Sequence, residues 1–417
     1  MNLTFWIASR LNLKSESKGQ RSPGVTIAVA GVAISITVML IAIAVVMGFK
    51  NNIKEKLLGL ESAIVIAPAE QKTETHNTFV PTSGLMDAVR NTLPEGARIS
   101  ESLQTTALIK TEDDFLGITL RANEPGSDQE DYIRENITEG EYPDYNLPDN
   151  KESIVLSEPT ARLLDLKTGD KIRLHFFDGN AVRTRSAKVA AIYNTSFSER
   201  DRLLAFASAQ LIESAQKLPE GSASAINVSG IPSDRIDELT SSLQETLLVN
   251  MYDSQTDHLL VAQSIRQRAA MYYNWLDLLD TNVVVIIILM GLVASFTLIS
   301  CLLIIILERI RFIGIMKAMG ATTVAIQKIF VAMALKIVVF GLLAGNVTGL
   351  TILLVQQHFR IIPLNPEAYF LDSVPVEIIP WQMIALNAGA VIISAAVLII
   401  PTTIISTISP ATTIKYE

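Results

Sequence analysis

Long apolar runs alternate with polar segments along this chain, at residues 25–48, 282–307, 324–356 and 381–405. Lys328 and Lys336 are the only charges inside them. A helix rises 1.5 Å per residue and needs about 20 apolar residues to cross a hydrocarbon core of about 30 Å, so each run predicts a membrane helix. The first exceeds the apolar core of a signal peptide, and Met47-Gly48-Phe49-Lys50 offers no small-residue cleavage site, so it is read as retained.

Residues 49–281 contain no comparable run and predict a large water-exposed domain. At its start Phe49, Ile53, Leu57 and Leu60 recur at helical spacing. At its end Leu259, Ala262, Ile265, Ala269, Tyr272, Leu276 and Leu279 do the same. The first and second membrane helices are therefore expected to continue outward as stalks with facing apolar stripes. Inside the domain, Ser62 to Pro68 and Ala107 to Leu120 read as strand, Gly84 to Leu93 as helix, and residues 123–150 as a long loop. The stretch from Ser153 to Leu174 reads strand, helix, turn at Gly169-Asp170, strand. Asp178-Gly179-Asn180 is a hairpin turn between Ile172 to Phe177 and Ala187 to Tyr193. A mixed α/β domain follows.

Charge orients these elements. The short elbow 308–323 carries Arg309, Arg311 and Lys317, and the segment 1–24 carries Arg10, Lys14, Lys18 and Arg21 against Glu16 alone, which places both in the cytoplasm. Leu3, Phe5, Trp6, Ile7 and Leu11 allow the latter a short amphipathic helix at the interface. The loop 357–380 sets Arg360 against Glu367, Asp372 and Glu377, as an external loop should, and the tail 406–417 returns to the cytoplasm. In the third helix Gly341, Gly345 and Gly349 form a small-residue face for close packing on another helix. Lys336 is read as snorkelling and Asn387 as an interhelical hydrogen-bond partner. On the elbow, Ile310, Ile313, Met316 and Met319 share a face that suits either a groove on a soluble partner or the membrane surface.

Composition removes most chemistry. With 49% hydrophobic and 18% charged residues, the 417-residue chain is too apolar for a soluble protein and too polar to lie wholly in lipid. A net charge of -8 argues against a nucleic-acid surface. Cys301 is the only cysteine, which precludes an intrachain disulfide and a cysteine metal site. His76, His175, His258 and His358 are scattered without metal-ligand spacing. There is no G-x-x-x-x-G-K-[ST] phosphate loop and no G-x-S-x-G elbow, so neither ATP hydrolysis nor serine nucleophile chemistry is expected of this chain.

The elbow Glu308-Arg-Ile-Arg-Phe-Ile-Gly-Ile-Met-Lys-Ala-Met-Gly-Ala resembles the cytoplasmic motif of the MacB/FtsX superfamily of ABC transporter permeases. The segment Pro363-Leu-Asn-Pro-Glu-Ala-Tyr-Phe-Leu-Asp-Ser-Val-Pro-Val-Glu, the ending Ser409-Pro-Ala-Thr-Thr-Ile-Lys-Tyr-Glu and Met47-Gly-Phe are similar to its lipoprotein-releasing branch, LolC and LolE. The resemblance implies a MacB-like permease fold: four membrane helices, both termini cytoplasmic, and a large α/β periplasmic domain between helices 1 and 2, in the inner membrane of a Gram-negative bacterium. It implies that no cofactor binds this chain and that ATP and Mg are held by a cytoplasmic ABC ATPase dimer. Arg311, Ile313, Gly314, Ile315, Met316, Lys317, Met319 and Gly320 would couple to that dimer. The other implied partners are a second permease, a copy of this chain or a paralogue, a lipoprotein substrate and a periplasmic lipoprotein carrier.

Ile36, Met39, Ile43 and Met47, at helical spacing, would line the acyl-chain site, or else face lipid or a neighbouring helix. The family's carrier-binding hook would fall at His175, Phe176, Phe177, Asp178, Gly179 and Asn180, although this hairpin is short, which leaves a different carrier contact or a homodimer open. Two other readings remain: a MacB-like exporter of periplasmic substrates, and an FtsX-like signalling protein controlling a cell-wall hydrolase. Topology is tested first, with reporters fused after Lys110, Pro366 and Lys317. The first two should report the periplasm and the third the cytoplasm; a cytoplasmic signal from the large domain would overturn this orientation.

Overall fold

Period-two apolar patterning in the polar half of the chain produces ten strands among the residues described, which are 23–69, 78–111, 114–178, 181–253 and 259–407 in this computed structural model. They are β1 (Ile64–Pro68), β2 (Arg98–Lys110), β3 (Phe115–Asn123), β4 (Ile137–Gly140), β5 (Ser153–Ser157), β6 (Lys171–Asp178), β7 (Ala181–Tyr193), β8 (Leu204–Ala207), β9 (Ala225–Ser229) and β10 (Leu260–Ser264). Following the pairings from β2 through β3, β8, β5, β7 and β6 returns to β2, so these six strands close into a barrel. Closure is possible because β2 is long enough to hold β9 along Arg98–Ser102 and β6 along Ala107–Lys110 on the same edge. Two pairings, β3 with β8 and β5 with β7, are parallel. Leu103, Ile109, Ile118, Leu120, Leu174, Phe176 and Val189 fill the interior. Beyond the barrel, β9, β1 and β10 extend from β2, and β4 flanks β7.

Three expectations change here. Residues 123–150 are not a loop, since Asp128–Glu135 is a helix followed by β4. Its start is a Ser-x-x-Glu signature: the Ser127 side chain accepts from Glu130 N, and Asp128, Glu130 and Asp131 place negative charge at the helix amino end. Leu260–Ser264 is a strand paired with β1, so the second stalk begins only after Ser264, which forms a capping box with Gln267. The hairpin strand β7 starts at Ala181 rather than Ala187, with Asp178 paired to Ala181 across the turn. The segment 1–22, His76, Gly179-Asn180, His258 and the 408–417 tail lie outside the described residues.

Among the described residues, four helices are long and apolar enough to cross a membrane: Gly24–Leu60, Ala270–Glu308, Thr323–Phe359 and Pro380–Ser406. The last is broken, with Pro380–Val397 followed by the single turns Ile399–Thr402 and Ile404–Thr407, around Pro401, which lacks a donor. The elbow is a nine-residue helix, Ile310–Ala318.

The chain divides into two compact units. Residues up to Lys50, from Trp275 to Pro363 and from Val374 onward form one, and Asn51–Asn274 with Leu364–Ser373 form the other. In the second unit, Glu61 just past the first helix meets three guanidinium groups, Arg268 at 2.8 Å and Arg121 and Arg200 at 3.5 Å. Burial alone would raise its carboxyl, but the arginine charges outweigh burial and hold it below the ordinary range. Nearby Lys56 donates to the carbonyls of Thr195 (2.6 Å) and Phe370 (3.0 Å). Ser196 and Phe370 beside it both adopt left-handed backbone conformations, with φ of 57° and 61°. Asp201 accepts from Thr195 N (3.0 Å) and Oγ1 (2.7 Å).

Burial pushes the Asp201 carboxyl from 3.8 up to about 6 in spite of those hydrogen bonds and the charge of Lys56. A raised acid favours the folded state at lower pH, so stability from Asp201 increases as pH falls through about 6. Glu61 acts oppositely, its contribution being lost only as pH drops below the usual carboxylate range. Between pH 7.5 and 5 the Asp201 contribution should amount to on the order of 1 kcal/mol. Thermal unfolding of the purified protein should therefore show a rise over that interval, and Asp201→Asn should flatten it. An unchanged slope in the variant would refute the assignment.

Candidate functional site: an apolar groove and an exposed elbow

The first membrane helix is nearly all apolar, so small residues on its neighbours decide which side packs. An added Cβ at Gly341 would lie 2.7 Å from Val32 side-chain atoms, at Gly345 2.7 Å from the Ala33 carbonyl, and at Gly349 2.7 Å from Leu40. Thr37 Oγ1 donates to the Gly345 carbonyl at 3.0 Å. The third helix thus takes one side of the first at backbone distance. Asn346 and Asn387 exchange side-chain hydrogen bonds at 2.7 and 3.1 Å, joining the third and fourth helices.

An adjoining side of the first helix lines a cavity of ≈ 570 Å³. Ile36, Met39, Ile43 and Met47 all face it, with Val283, Ile287 and Ala294 from the second helix and Trp381, Leu386 and Ile393 from the fourth. Its lining along the first helix runs from Val32 to Lys50, about 27 Å at the helical rise. Lys50 and Asp280 stand at the Met47 end, paired at 2.5 Å. Sequence reading did not single out these two charges, although each borders an apolar run. Ser295 and Ser394 are among its few polar lining residues.

On the elbow the expected apolar face divides. Ile313 is 0% exposed and packs in a cluster with Ile326, Phe330, Leu398 and Ile405, and Met316 lies against the same cluster. Lys317 Nζ donates to the carbonyls of Ile405 (2.7 Å) and Ser406 (3.3 Å), satisfying the end of the fourth helix. Gly314 is also buried. Ile313 and Gly314 are therefore internal supports rather than outward contacts, and half-buried Lys317 braces the end of the fourth helix. The outward stripe is Arg311, Ile315 (54% exposed) and Met319 (71% exposed). Gly320, at φ +92°, ends the helix in a conformation that favours glycine. Because both sides of this helix are apolar, periodicity could not tell which one packs inward.

The hairpin gives a comparable correction. Phe176 is fully buried in the barrel and cannot serve as a surface contact, whereas Phe177 and its cross-strand partner Val182 are exposed. His175 is half-buried, its Nδ1 3.0 Å from Thr184 Oγ1. Asp178 pairs through its backbone with Ala181, and Gly179 and Asn180 lie outside the described residues. Among the described residues, no group of three or more His, Cys, Asp or Glu could hold a metal ion.

Residues 25–246, more than half of the chain, match the family model for the MacB-like periplasmic core domain, and residues 284–410 match that for the FtsX-like permease C-terminal region. The chain belongs to the MacB/FtsX superfamily. Among its relatives, the lipoprotein-releasing system transmembrane protein LolC of Neisseria meningitidis is 22% identical over 434 residues, covering 100% of both chains. LolE of the same system from Haemophilus influenzae is 22% identical over 428 residues, covering 99% of each. The periplasmic region of MacB from Actinobacillus actinomycetemcomitans aligns with a TM-score of 0.33 at 12% identity, over 52% of this chain and 95% of that one. The resemblance read from the elbow and loop wording is thereby borne out over the full length. In MacB/FtsX terms, the core-domain match takes in the barrel strands, and the FtsX-like match takes in the elbow and the third and fourth helices.

Proposed function

We propose that this chain is the permease subunit of an inner-membrane ABC transporter that extracts lipoproteins for delivery to a periplasmic carrier. The observation that carries the reading is the groove. Ile36, Met39, Ile43 and Met47 line one apolar cavity with residues of two other membrane helices, in a chain whose full-length relatives bear lipoprotein-releasing names. Burial of acyl chains is worth ~0.8 kcal/mol per CH₂, so pulling several chains into water would cost tens of kcal/mol. An apolar groove beside the bilayer offsets much of that cost while the chains change surroundings.

In this reading both termini and the elbow face the cytoplasm and the core domain stands in the periplasm. A separate ATPase dimer holds ATP and Mg and docks on Arg311, Ile315 and Met319, while Ile313 and Lys317 fix the elbow to its own helices. Motion passes through the two long helices, Pro23–Leu60 and Ala270–Glu308, whose residues belong to both units. A second permease, identical or paralogous, completes the assembly. The exposed pair Phe177 and Val182 at the β6–β7 tip is the carrier contact.

Photo-crosslinking residues at Met39 and Ile43 should trap a lipoprotein in cells, while one at lipid-exposed Ile392 should not. Capture of phospholipid alone at Met39 and Ile43 would place the substrate elsewhere. At the elbow, a charge in a desolvated contact is costly without a partner. Ile315→Asp and Met319→Asp should still insert in the membrane but copurify at least tenfold less ATPase than the unmodified chain. Full retention of the ATPase in both would overturn the coupling surface.

A further inference from the structure

The groove is bounded at both ends by contacts between the first and second helices. At one end Gly31 lies so close to Thr297 that an added Cβ would sit 2.9 Å from its Cγ2. At the other, Phe49 meets Trp275 edge to face at 5.3 Å, and Lys50 pairs with Asp280 at 2.5 Å. The Lys50 side chain is only 11% exposed and that of Asp280 is 47% exposed. A near-buried lysine beside an apolar cavity is costly to desolvate, and removing its partner would leave that charge uncompensated. Ion pairs of this kind are weak stabilisers and are best attested as devices of specificity or switching.

Acyl chains are chemically alike, so a groove that holds them by apolar contact cannot distinguish whose chains they are. Discrimination has to come from groups at its mouth. A phospholipid brings a phosphate, with or without an ammonium, to that depth. Chains joined to a protein's amino-terminal residue through amide, ester or thioether bonds bring no charge. We propose that the Lys50–Asp280 pair is a headgroup filter, closed on itself over an uncharged linkage and needing to be broken to seat a charged headgroup. The filter rests on the acyl-groove reading above and adds to it a means of keeping abundant phospholipid out of the site. Lys50 is near-buried and held at 2.5 Å by the half-exposed Asp280, so in this filter a phosphate gains the ammonium by displacing the carboxylate.

The test uses the purified transporter in nanodiscs and two probes with the same diazirine-bearing acyl chain, a triacylated lipopeptide and a phosphatidylethanolamine, at equal mole fraction. Labelling of the peptide containing Met39 and Ile43 is read by mass spectrometry. The unmodified protein should favour the lipopeptide at least tenfold. Lys50→Met with Asp280→Leu should bring the ratio near one by raising phospholipid labelling, and the exchanged pair Lys50→Asp with Asp280→Lys should restore most of the preference. Lipopeptide labelling with no preference in the unmodified protein would overturn the filter while leaving the groove standing. So would a ratio unmoved by the double substitution, or phospholipid labelling that falls in it, since the latter means the pair recruits headgroups. Labelling by neither probe would remove the groove itself as an acyl site, and the filter with it.

Discussion

The backbone-to-backbone contact between the first and third membrane helices sets the rest of the membrane unit. In lipid no hydrophobic force drives helices together, so close approach depends on small residues that let backbones touch. Gly341, Gly345 and Gly349 supply that surface, and the Thr37 hydroxyl seals it by donating to the Gly345 carbonyl. Once one side of the first helix is committed to the third, the side bearing Met39, Ile43 and Met47 is turned to the second and fourth. A void remains there because the second helix presents Gly291, Ala294 and Ser295, and the fourth Ala385, Gly389 and Ala390, which are too small to fill it. The groove is thus a consequence of where side chains are short on the second and fourth helices, with larger side chains of all three lining helices around it.

Buried charge is handled differently in the two units. In the core domain Glu61 is surrounded by three arginines, an arrangement in which no single loss leaves the carboxylate unpaired. Arg121 also donates to the Leu60 carbonyl at 2.9 Å, so the same network satisfies one of the orphan acceptors at the end of the first helix. At the groove, Lys50 meets Asp280 in the one ion pair it makes among the described residues, a contact between two helices. Redundancy suits a fixed joint, and a lone pair suits a contact that opens.

Much of this was legible in the chain. Apolar length located the four membrane helices, the spacing of three glycines marked a packing face, and the wording of the elbow and loop gave the superfamily. Barrel closure was not, because it depends on β2 pairing with β6 on one edge as well as with β3 on the other, a long-range choice that leaves no local mark. The helix at Asp128–Glu135 was legible in principle, since Ser127 and Glu130 form a start signature, but an acid- and proline-rich stretch obscured it. The strand Leu260–Ser264 was hidden by a different ambiguity, for its apolar residues also fit a helical spacing continuous with the stalk.

The hairpin β6–β7 shows how one register fixes both stability and surface. Alternation along a strand sends Phe176 into the barrel and Phe177 outward, and a slip of one residue would exchange them. The register is pinned by eight paired positions from Lys171 to Asp178 and by Arg183 and Arg185, which donate to the Ala215 and Ser214 carbonyls of the neighbouring helix end. With Phe176 held by the core, the exposure of Phe177 opposite Val182 follows without a separate stabilising contact. An apolar pair in water at a hairpin tip gains from burial only when another surface covers it, so this register leaves Phe177 and Val182 as apolar area that folding of the barrel does not bury.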